Sequence, residues 1–247
     1  MSEHPIILTA DMVRATLAKT KTQHRLPIMP QPQIAGSYVT DGGELQWCEQ
    51  TDLQRMVGPP PKWHTIKISF GGPGDFLWVK ECWMPYDTDG LESATVSYRA
   101  SYNPSASGSA RDQGATRQFE VPHAVAQEFS QAIRLMEVYG EKWRPPATMD
   151  RWASRITRVV KRVWAERIQG ISEANAIAEG LIVYEGGPLS PLYDHTDRDE
   201  LGFDCPVKCF RDLWGARYAR KGLGWDENPW VFACEFELTE TEKARKP

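Results

Sequence analysis

The chain has 247 residues, of which 41% are hydrophobic and 25% are charged. These proportions are those of an ordinary globular protein, and they exclude a wholly disordered chain. The 33 acidic and 29 basic side chains give a net charge of −4, which excludes a protein that coats nucleic acid or a membrane through bulk charge, so a nucleic-acid site has to be a local patch.

Cysteine usage and hydropathy indicate the compartment. The five cysteines are odd in number and scattered along the chain, which is typical of a reducing environment rather than of a disulfide framework. The apolar run at residues 5–8 is too short for a signal peptide, and no apolar stretch of about 18 residues occurs elsewhere. We therefore expect a cytoplasmic protein that has no membrane partner.

The first predicted elements are a short strand and a short helix. The strand covers residues 5–9, and the helix runs for about two turns from Met12 to Ala18 with Asp11 as its N-cap. A polar segment, Lys19 to Arg25, ends the helix, and the prolines that follow exclude further helix.

The middle of the chain carries two predicted strands between loops. Residues 76–83 follow a Gly-Pro-Gly turn and place large apolar groups on both faces, which is typical of a strand in a closed barrel or between two layers. A second strand covers residues 94–102. The segments 33–65 and 103–122 are rich in turn-forming residues and predict loops, with strand-like pieces at 37–39 and 44–48.

The second half of the chain contains the strongest helix pattern. Apolar residues recur at steps of three and four over residues 123–138. Residues 151–164 are basic and rich in β-branched side chains, which favours a strand, although the spacing alone does not exclude a helix. The remaining predictions are a helix at 173–179 capped by Ser172 and closed by Gly180, a helix at 207–221, and a strand at 230–236.

The order of these elements predicts the fold class. Helices are inserted between short strands without the regular alternation of βαβ units. We therefore predict an α+β fold with a small, closed mixed sheet, formed by a single domain over residues 1–247.

Two places near predicted helix ends carry titratable side chains that are candidates for a functional site. Lysines in the segment 19–25 suit the C-terminal end of a helix, so Lys21 and its neighbours are explained either by the helix dipole or by a functional site. Glu179 closes its predicted helix at the end where an acid is unfavourable, which indicates a role elsewhere.

The stretch from Arg151 to Arg167 combines six basic side chains with two tryptophans and one acid, Glu166. Guanidinium groups beside Trp152 and Trp164 fit phosphate contact with base stacking, and they fit a solvated strand face with aromatic core partners equally well.

Metal and cofactor motifs are weak in this sequence. The pair Cys205 and Cys209 lacks the spacing and the second pair of a zinc site, so a buried structural role is favoured for these thiols. The nucleotide-binding, zincin and hydrolase-elbow motifs do not occur. We predict no metal and no cofactor.

Several segments together resemble one family. They are the opening at 6–25, the strand at 72–81, Arg144-Pro145, the run from Met149 to Arg155, the helix at 171–180 and the terminal strand at 228–232. In this order they resemble the ASCH domain, a PUA-like β-barrel, in the long form encoded by phages and prophages. The resemblance covers most of the chain, with insertions at about 33–65, 103–142 and 185–205.

The resemblance implies a small barrel with flanking helices and a cleft related to those that bind RNA. One branch of the family is similar to bacterial N4-acetylcytidine amidohydrolases, in which a Lys accepts a proton, a Thr is the nucleophile and a Glu donates a proton. By motif the Lys falls on Lys21 and the Glu on Glu179. The nucleophile position falls on His24, a departure, because an imidazole does not replace a threonine hydroxyl.

Two interpretations of this site follow from the residues. In the first, Thr22 is the nucleophile, His24 the base, and Lys21 an electrostatic group for the developing oxyanion. In the second, the cluster recognises a base or a phosphate and catalyses nothing.

The sequence thus predicts a protein that recognises a nucleoside, a modified base or single-stranded nucleic acid, with RNA favoured, and that hydrolyses an N4-acylated cytidine or only binds. The alternative is a non-catalytic phage module that binds a host protein. The predicted catalytic residues are Lys21, Thr22, His24 and Glu179. The predicted base-binding or nucleic-acid-binding residues are Arg25, Trp78, Glu81, Trp83, Arg151, Trp152 and Arg155.

Overall fold

A computed structural model describes residues 1–32, 38–39, 44–48, 63–102, 115–140, 142–185, 191–195 and 202–238. The strands are β1 (Glu3–Ile7), β2 (Gln23–Pro27), β3 (Tyr38–Val39), β4 (Glu44–Cys48), β5 (Trp63–Lys67), β6 (Phe76–Lys80), β7 (Trp83–Thr88), β8 (Ser93–Tyr98), β9 (Thr116–Glu120), β10 (Thr157–Arg167), β11 (Ile182–Tyr184), β12 (Leu192–Asp194) and β13 (Trp230–Leu238). The helices are α1 (Ala10–Leu17), α2 (His123–Tyr139), α3 (Glu173–Ala178) and α4 (Pro206–Tyr218).

These elements form an α+β fold with four sheets. The largest sheet has the strand order β1-β6-β10-β13-β2, and the others are β3-β4-β5, β7-β8-β9 and β11-β12. The sequence predicts a closed barrel, whereas β1 and β2 are the two edges of the five-stranded sheet among the described strands. The α+β class is therefore confirmed, and the described strands form open sheets.

The chain divides into two compact units. The first unit comprises Met1–His4, Ala18–Leu77 and Arg158–Pro247, and the second comprises Pro5–Leu17 and Trp78–Thr157.

In the first unit, β10, β13 and β2 form an antiparallel series. Trp164 lies opposite Ala233, and Ala233 lies opposite Arg25, so these three side chains belong to one row across the sheet. Among the described strands, β2 is an edge strand of this sheet.

A hydrophobic core joins α3 and α4 in the first unit. Its buried members are Ile168, Ile171, Ala176, Leu181, Cys209, Phe210, Trp214 and Val231. Ser172 caps α3 by accepting a hydrogen bond from the backbone N–H of Asn175, and Gly180 follows the helix with a φ of 95°. Both the cap and the glycine agree with the sequence-based prediction.

In the second unit, α2 packs against the sheet β7-β8-β9. The core between them is aromatic, with Trp83, Tyr98 and Phe129 buried and Trp152 packed against them. The helix agrees with the prediction for 123–138, and its most deeply buried side chains are Ala126 and Phe129.

Three local predictions differ from the structure. Asp11 is not an N-cap, because α1 begins at Ala10 and Asp11 lies in its first turn, where it pairs with Arg14. Residues 116–120 form β9 instead of a loop, since they pair with β8. The polar segment ending at Arg25 contains a strand, β2, which hydrogen bonds to β13.

Other predictions are confirmed. The strand favoured for 151–164 is present from Thr157 to Arg167, whereas Arg151–Ala153 form a short 3-10 helix. The helix predicted at 207–221 is α4 with a short 3-10 turn after it, and the terminal strand is β13. The strand-like pieces at 37–39 and 44–48 correspond to β3 and β4. Parts of the predicted insertions, including 49–62, 103–114 and 196–201, lie outside the described residues.

None of the helices in the described part of the chain combines the length and the apolar character that a membrane-crossing helix requires.

The cap of α3 generates a prediction about stability. The substitution Ser172→Ala removes the acceptor for the Asn175 N–H and should lower the free energy of unfolding by about 1 kcal/mol. Urea denaturation measures this change. Ser172→Asp keeps an N-cap acceptor and should stay close to the wild type, so an equal loss in both variants would contradict the capping role.

Candidate functional site

Lys21 and Glu179 meet in the first unit although they are 158 positions apart in the chain. The Thr22 N–H donates to the carbonyl of Ala178 at 2.9 Å, and this bond joins the chain entering β2 to the end of α3. Glu179 follows the last residue of α3, so its carboxylate lies beside the edge strand.

The ammonium of Lys21 is fully used. Its Nζ donates to the carbonyl oxygens of Gln23 at 2.6 Å and Glu179 at 2.8 Å, and to Oε2 of Glu179 at 2.8 Å. An ammonium has three hydrogens, so all of them are accounted for. Lys19, by contrast, is exposed with a φ of 66°, the left-handed conformation that commonly ends a helix.

Arg25 holds the other oxygen of the same carboxylate. Its Nη1 donates to Oε1 of Glu179 at 2.9 Å and to Oε1 of Gln23 at 3.1 Å, and its Nε donates to Oε1 of Glu166 at 2.8 Å. The Arg25 side chain is fully buried, and its orientation is set by three acceptors.

His24 completes the cluster from the neighbouring position of β2. Its Nδ1 lies 3.7 Å from Oε2 of Glu179, beyond hydrogen-bond range, and its ring meets Phe70 edge-on at 6.1 Å between centroids. We call Lys21, His24, Arg25 and Glu179 the polar cluster; each of these side chains is at most 2% exposed.

Burial and charge set the protonation states. Burial raises the pKa of Glu179, but the charge of Lys21, with His24 and Arg25 beside it, outweighs burial and holds that pKa below its usual 4.5. Burial lowers the pKa of Lys21 below 10.5, and the Glu179 carboxylate opposes this shift. Burial and the Lys21 charge lower the pKa of His24 from 6.5 to about 4, so the imidazole is neutral at pH 7.

Within the part of the chain that the structure describes, three buried nitrogens of the cluster have no hydrogen-bond partner. They are Nη2 of Arg25 and both ring nitrogens of His24. A buried polar atom without a partner costs free energy, of the order of 1–3 kcal/mol, so a ligand that satisfies these atoms would recover it.

Two further residues position Arg25, and the sequence analysis does not assign them to the site. Trp164 donates from Nε1 to Oε2 of Glu166 at 2.9 Å, and Glu166 in turn binds Arg25. The small Ala233 lies between Trp164 and Arg25, and the guanidinium carbon comes within 5.7 Å of the indole centroid. In the sequence, the feature that pointed to this role is that Glu166 is the one acid in the basic stretch from Arg151 to Arg167.

Thr22 is placed apart from the polar cluster. It precedes β2, its side chain is exposed, and its backbone bonds to Ala178 and Phe236. His24 is buried, so the structure does not bring the Thr22 hydroxyl and the His24 ring into one environment. The predicted nucleophile and base pair is therefore not assembled in this conformation.

The other predicted binding residues lie in the second unit. Arg155 binds Glu81 in a bidentate pair, with Nε to Oε1 at 2.8 Å and Nη2 to Oε2 at 2.9 Å. The same guanidinium carbon lies 4.1 Å from the ring centroid of Tyr98. Burial raises the pKa of Glu81, and Arg155 opposes this shift. Glu81 and Arg155 thus form a closed ion pair of their own.

The tryptophans among the predicted binding residues, Trp78, Trp83 and Trp152, pack against protein groups. Trp83 is buried in the aromatic core, with Phe129 at 6.0 Å and Trp152 at 6.5 Å between ring centroids. Trp78 is nearly buried and lies between Lys80 Nζ at 5.2 Å and Arg151 Cζ at 5.9 Å. These contacts place Trp83 and Trp152 in the core.

Within the described ranges, no group of three or more His, Cys, Asp or Glu side chains is arranged to hold a metal ion. Cys209 is buried, and burial raises its pKa to about 12, which suits a structural thiol. His195 pairs with Asp212 at 2.8 Å.

The ion pair generates a prediction about stability. Glu179→Gln leaves Lys21 and Arg25 buried without their counter-charge and should lower the free energy of unfolding by about 3–5 kcal/mol. Chemical denaturation at pH 7 measures this loss. The matched control is Glu173→Gln, an exposed acid on the same helix, which should change stability by less than about 0.5 kcal/mol. A Glu179→Gln protein as stable as the control would contradict the stabilising role.

His24 generates a prediction about pH. Between pH 6.5 and about 4 the unfolded chain binds a proton at His24 that the folded chain does not, so stability should fall as the pH is lowered, by about 1–3 kcal/mol across this window. The groups facing the ring are Lys21, Glu179 and Arg217.

Urea denaturation at several pH values measures this slope. His24→Gln should flatten it over this window, while His123→Gln, at an exposed position on α2, should leave it unchanged. Equal slopes in the wild type and His24→Gln would show that His24 is not held neutral.

Comparison of the chain with protein-family models, with curated proteins and with solved structures finds no significant match. The resemblance to the ASCH domain therefore stays a prediction from the sequence.

Proposed function

We propose that this chain recognises a nucleoside, a modified base or a base in single-stranded nucleic acid through the polar cluster. The observation that carries the proposal is the set of buried nitrogens on Arg25 and His24 that have no hydrogen-bond partner among the described residues, beside an ion pair that fixes Arg25. An ion cluster with a purely structural role would be expected to satisfy its own buried polar atoms.

The chemistry of these nitrogens favours the edge of a base. Arg25 Nη2 is a donor, and a neutral His24 offers one donor and one acceptor. A pyrimidine presents carbonyl and amino groups at the matching positions along one edge. Lys21 and Arg25 are ion-paired with Glu179 and Glu166, so the cluster offers a planar ligand hydrogen-bonding atoms whose charges already have partners.

Access to the cluster requires a change in its surroundings. The four side chains are at most 2% exposed, so a ligand reaches them only when the contact between β2 and the end of α3 opens. We therefore expect ligand binding to be coupled to local opening at the edge of the sheet.

The resemblance to N4-acetylcytidine amidohydrolases supports hydrolysis as the reaction to test. The 2.8 Å contact between Lys21 and Glu179 allows one proton to move from the ammonium to the carboxylate. The pair is ionic at rest, because the Lys21 charge holds the pKa of Glu179 below its usual value. Only after that transfer is Lys21 able to accept a proton and Glu179 able to donate one, so hydrolysis requires the transfer. Both interpretations, binding alone and hydrolysis, share the proposed ligand class and the proposed PUA-like ASCH fold.

Binding assays test the proposal directly. Calorimetry with cytidine, N4-acetylcytidine and a short single-stranded RNA should show binding of at least one of them to the wild type. Arg25→Lys keeps the positive charge but removes Nη2, and it should weaken that binding by about tenfold or more. Arg211→Lys, at an exposed position in the same unit, is the control and should bind as the wild type does.

The outcomes separate the two interpretations. Release of acetate from N4-acetylcytidine by the wild type, lost in Lys21→Met with binding tested in parallel, would establish hydrolysis. Binding without acetate release would leave recognition alone. No binding of any of the three ligands at millimolar concentration would overturn the proposal, and thermal denaturation shows whether each variant is folded.

A further inference from the structure

Strand β10 in the first unit carries two neighbouring cations in solvent. Lys161 and Arg162 follow each other in the chain, and their side chains are 48% and 62% exposed. The register between β10 and β13 shifts between Val160 and Arg162, so Lys161 is the extra residue of a β-bulge. Successive strand residues normally point to opposite faces of a sheet, and the bulge lets both cations reach the same side.

Both cations share one carboxylate. The Lys161 Nζ lies 3.0 Å from Oε1 of Glu235, and the Arg162 Nη2 lies 3.5 Å from Oε2 of the same side chain. Among the described residues neither cation is paired with another acid, so this group of three side chains keeps one positive charge. The chain as a whole has a net charge of −4, so the excess is local. Exposed donors with a surplus of positive charge are suited to bind a phosphate group.

A row of side chains leads from these cations to the polar cluster. Glu235 lies opposite Arg162 on one neighbouring strand and opposite Gln23 on the other. Residues that lie directly opposite each other in antiparallel strands share a face of the sheet. The Gln23 side chain accepts a hydrogen bond from Nη1 of Arg25 at 3.1 Å. The row therefore begins at an exposed cation and ends at a residue that contacts the cluster.

The next row on this face ends at the cluster arginine itself. Trp164, Ala233 and Arg25 lie side by side, two residues along each strand from the first row. The guanidinium carbon of Arg162 lies 4.3 Å from the centroid of the Trp164 ring, and that of Arg25 lies 5.7 Å from it. One indole therefore lies beside both the exposed and the buried guanidinium group.

Exposure increases across the sheet from β2 to β10. The Arg25 side chain is fully buried, Glu235 is 28% exposed and Arg162 is 62% exposed. The buried end suits a planar base, as proposed above. The exposed end suits an ionised group attached to that base, because a phosphate bound there keeps part of its hydration.

We propose that the ligand of the polar cluster is a nucleotide, whose phosphate group is bound by Lys161 and Arg162 while its base is bound at Arg25. This inference rests on the proposed function and narrows its ligand class from a nucleoside to a phosphorylated form. The phosphate belongs either to a free nucleotide or to a nucleotide within a single strand. Glu235 holds the two cations side by side in the free protein and competes with the phosphate for them.

Calorimetry on the full chain tests the phosphate contact. The ligands are cytidine or N4-acetylcytidine, whichever the wild type binds more tightly, the 5′- and 3′-monophosphates of that nucleoside, and a short single-stranded RNA. The wild type should bind at least one phosphorylated ligand about fivefold or more tightly than the nucleoside. A free monophosphate that binds best identifies a free nucleotide as the ligand, and RNA that binds best identifies a strand.

Three variants show which residues cause this preference. The double variant Lys161→Gln with Arg162→Gln should abolish the preference for the phosphorylated ligand. Arg167→Gln removes an exposed cation from the same strand at a position that points to the other face, so it is the matched control and should keep the preference. Glu235→Gln removes the competing carboxylate and should enlarge the preference about twofold or more. A purely structural ion pair would give no such gain.

The outcomes distinguish failure of this inference from failure of the proposed function. Equal binding of the nucleoside and its phosphorylated forms, or a preference that persists in the double variant, would overturn the phosphate contact and leave recognition of the base in place. No binding of any of these ligands would overturn both. Thermal denaturation shows whether each variant is folded, and the exposed positions of Lys161 and Arg162 make a large loss of stability unexpected.

Discussion

The buried pair of Lys21 and Glu179 is the interaction on which the first unit's candidate site depends. It joins the chain entering an edge strand to the end of a short helix, two segments that a long stretch of sequence separates. Removing two ions from water is expensive, and the cost is offset only where geometry is good and the remaining hydrogen bonds are made. Lys21 meets this condition completely, with three acceptors for three hydrogens.

The same rule shows where the site is incomplete. Arg25 is oriented by Glu166, Gln23 and Glu179, yet one of its terminal nitrogens has no acceptor among the described residues. His24 is held neutral next to a carboxylate that it does not reach. Fixed neighbours with unused hydrogen-bonding capacity are the features of a preorganised recognition site, and they connect the electrostatics of the cluster to the proposed ligand class.

The second unit uses buried charge in a different way. Glu81 and Arg155 satisfy each other in a bidentate pair, and the guanidinium lies against Tyr98. This ion pair therefore packs against Tyr98, a member of the aromatic core of the unit. Large exposed apolar side chains of this unit lie on the outer side of α2.

The sequence by itself determined the elements whose signals are local. The period of α2, the Ser172 cap and Gly180 around α3, and the β-branched run of β10 each depend on neighbours within a few residues. The sequence also singled out Lys21, because it lies in a dense run of polar side chains, and Glu179, because an acid is unfavourable at the C-terminal end of a helix. Strand β9 was missed, since its five residues form a strand only by pairing with β8.

Only the tertiary structure decided which side chains meet. The register of β10, β13 and β2 brings Trp164 to Arg25 across Ala233, and no local pattern encodes that register. The structure also separates the exposed Thr22 from the buried His24, and it places Trp83, predicted as a binding residue, in the aromatic core of the second unit. Strand pairing and burial depend on contacts between residues that are distant in the chain, so they could not be predicted from the sequence. Helix caps and helix periodicity depend on residues that are near in the chain, so they could be predicted.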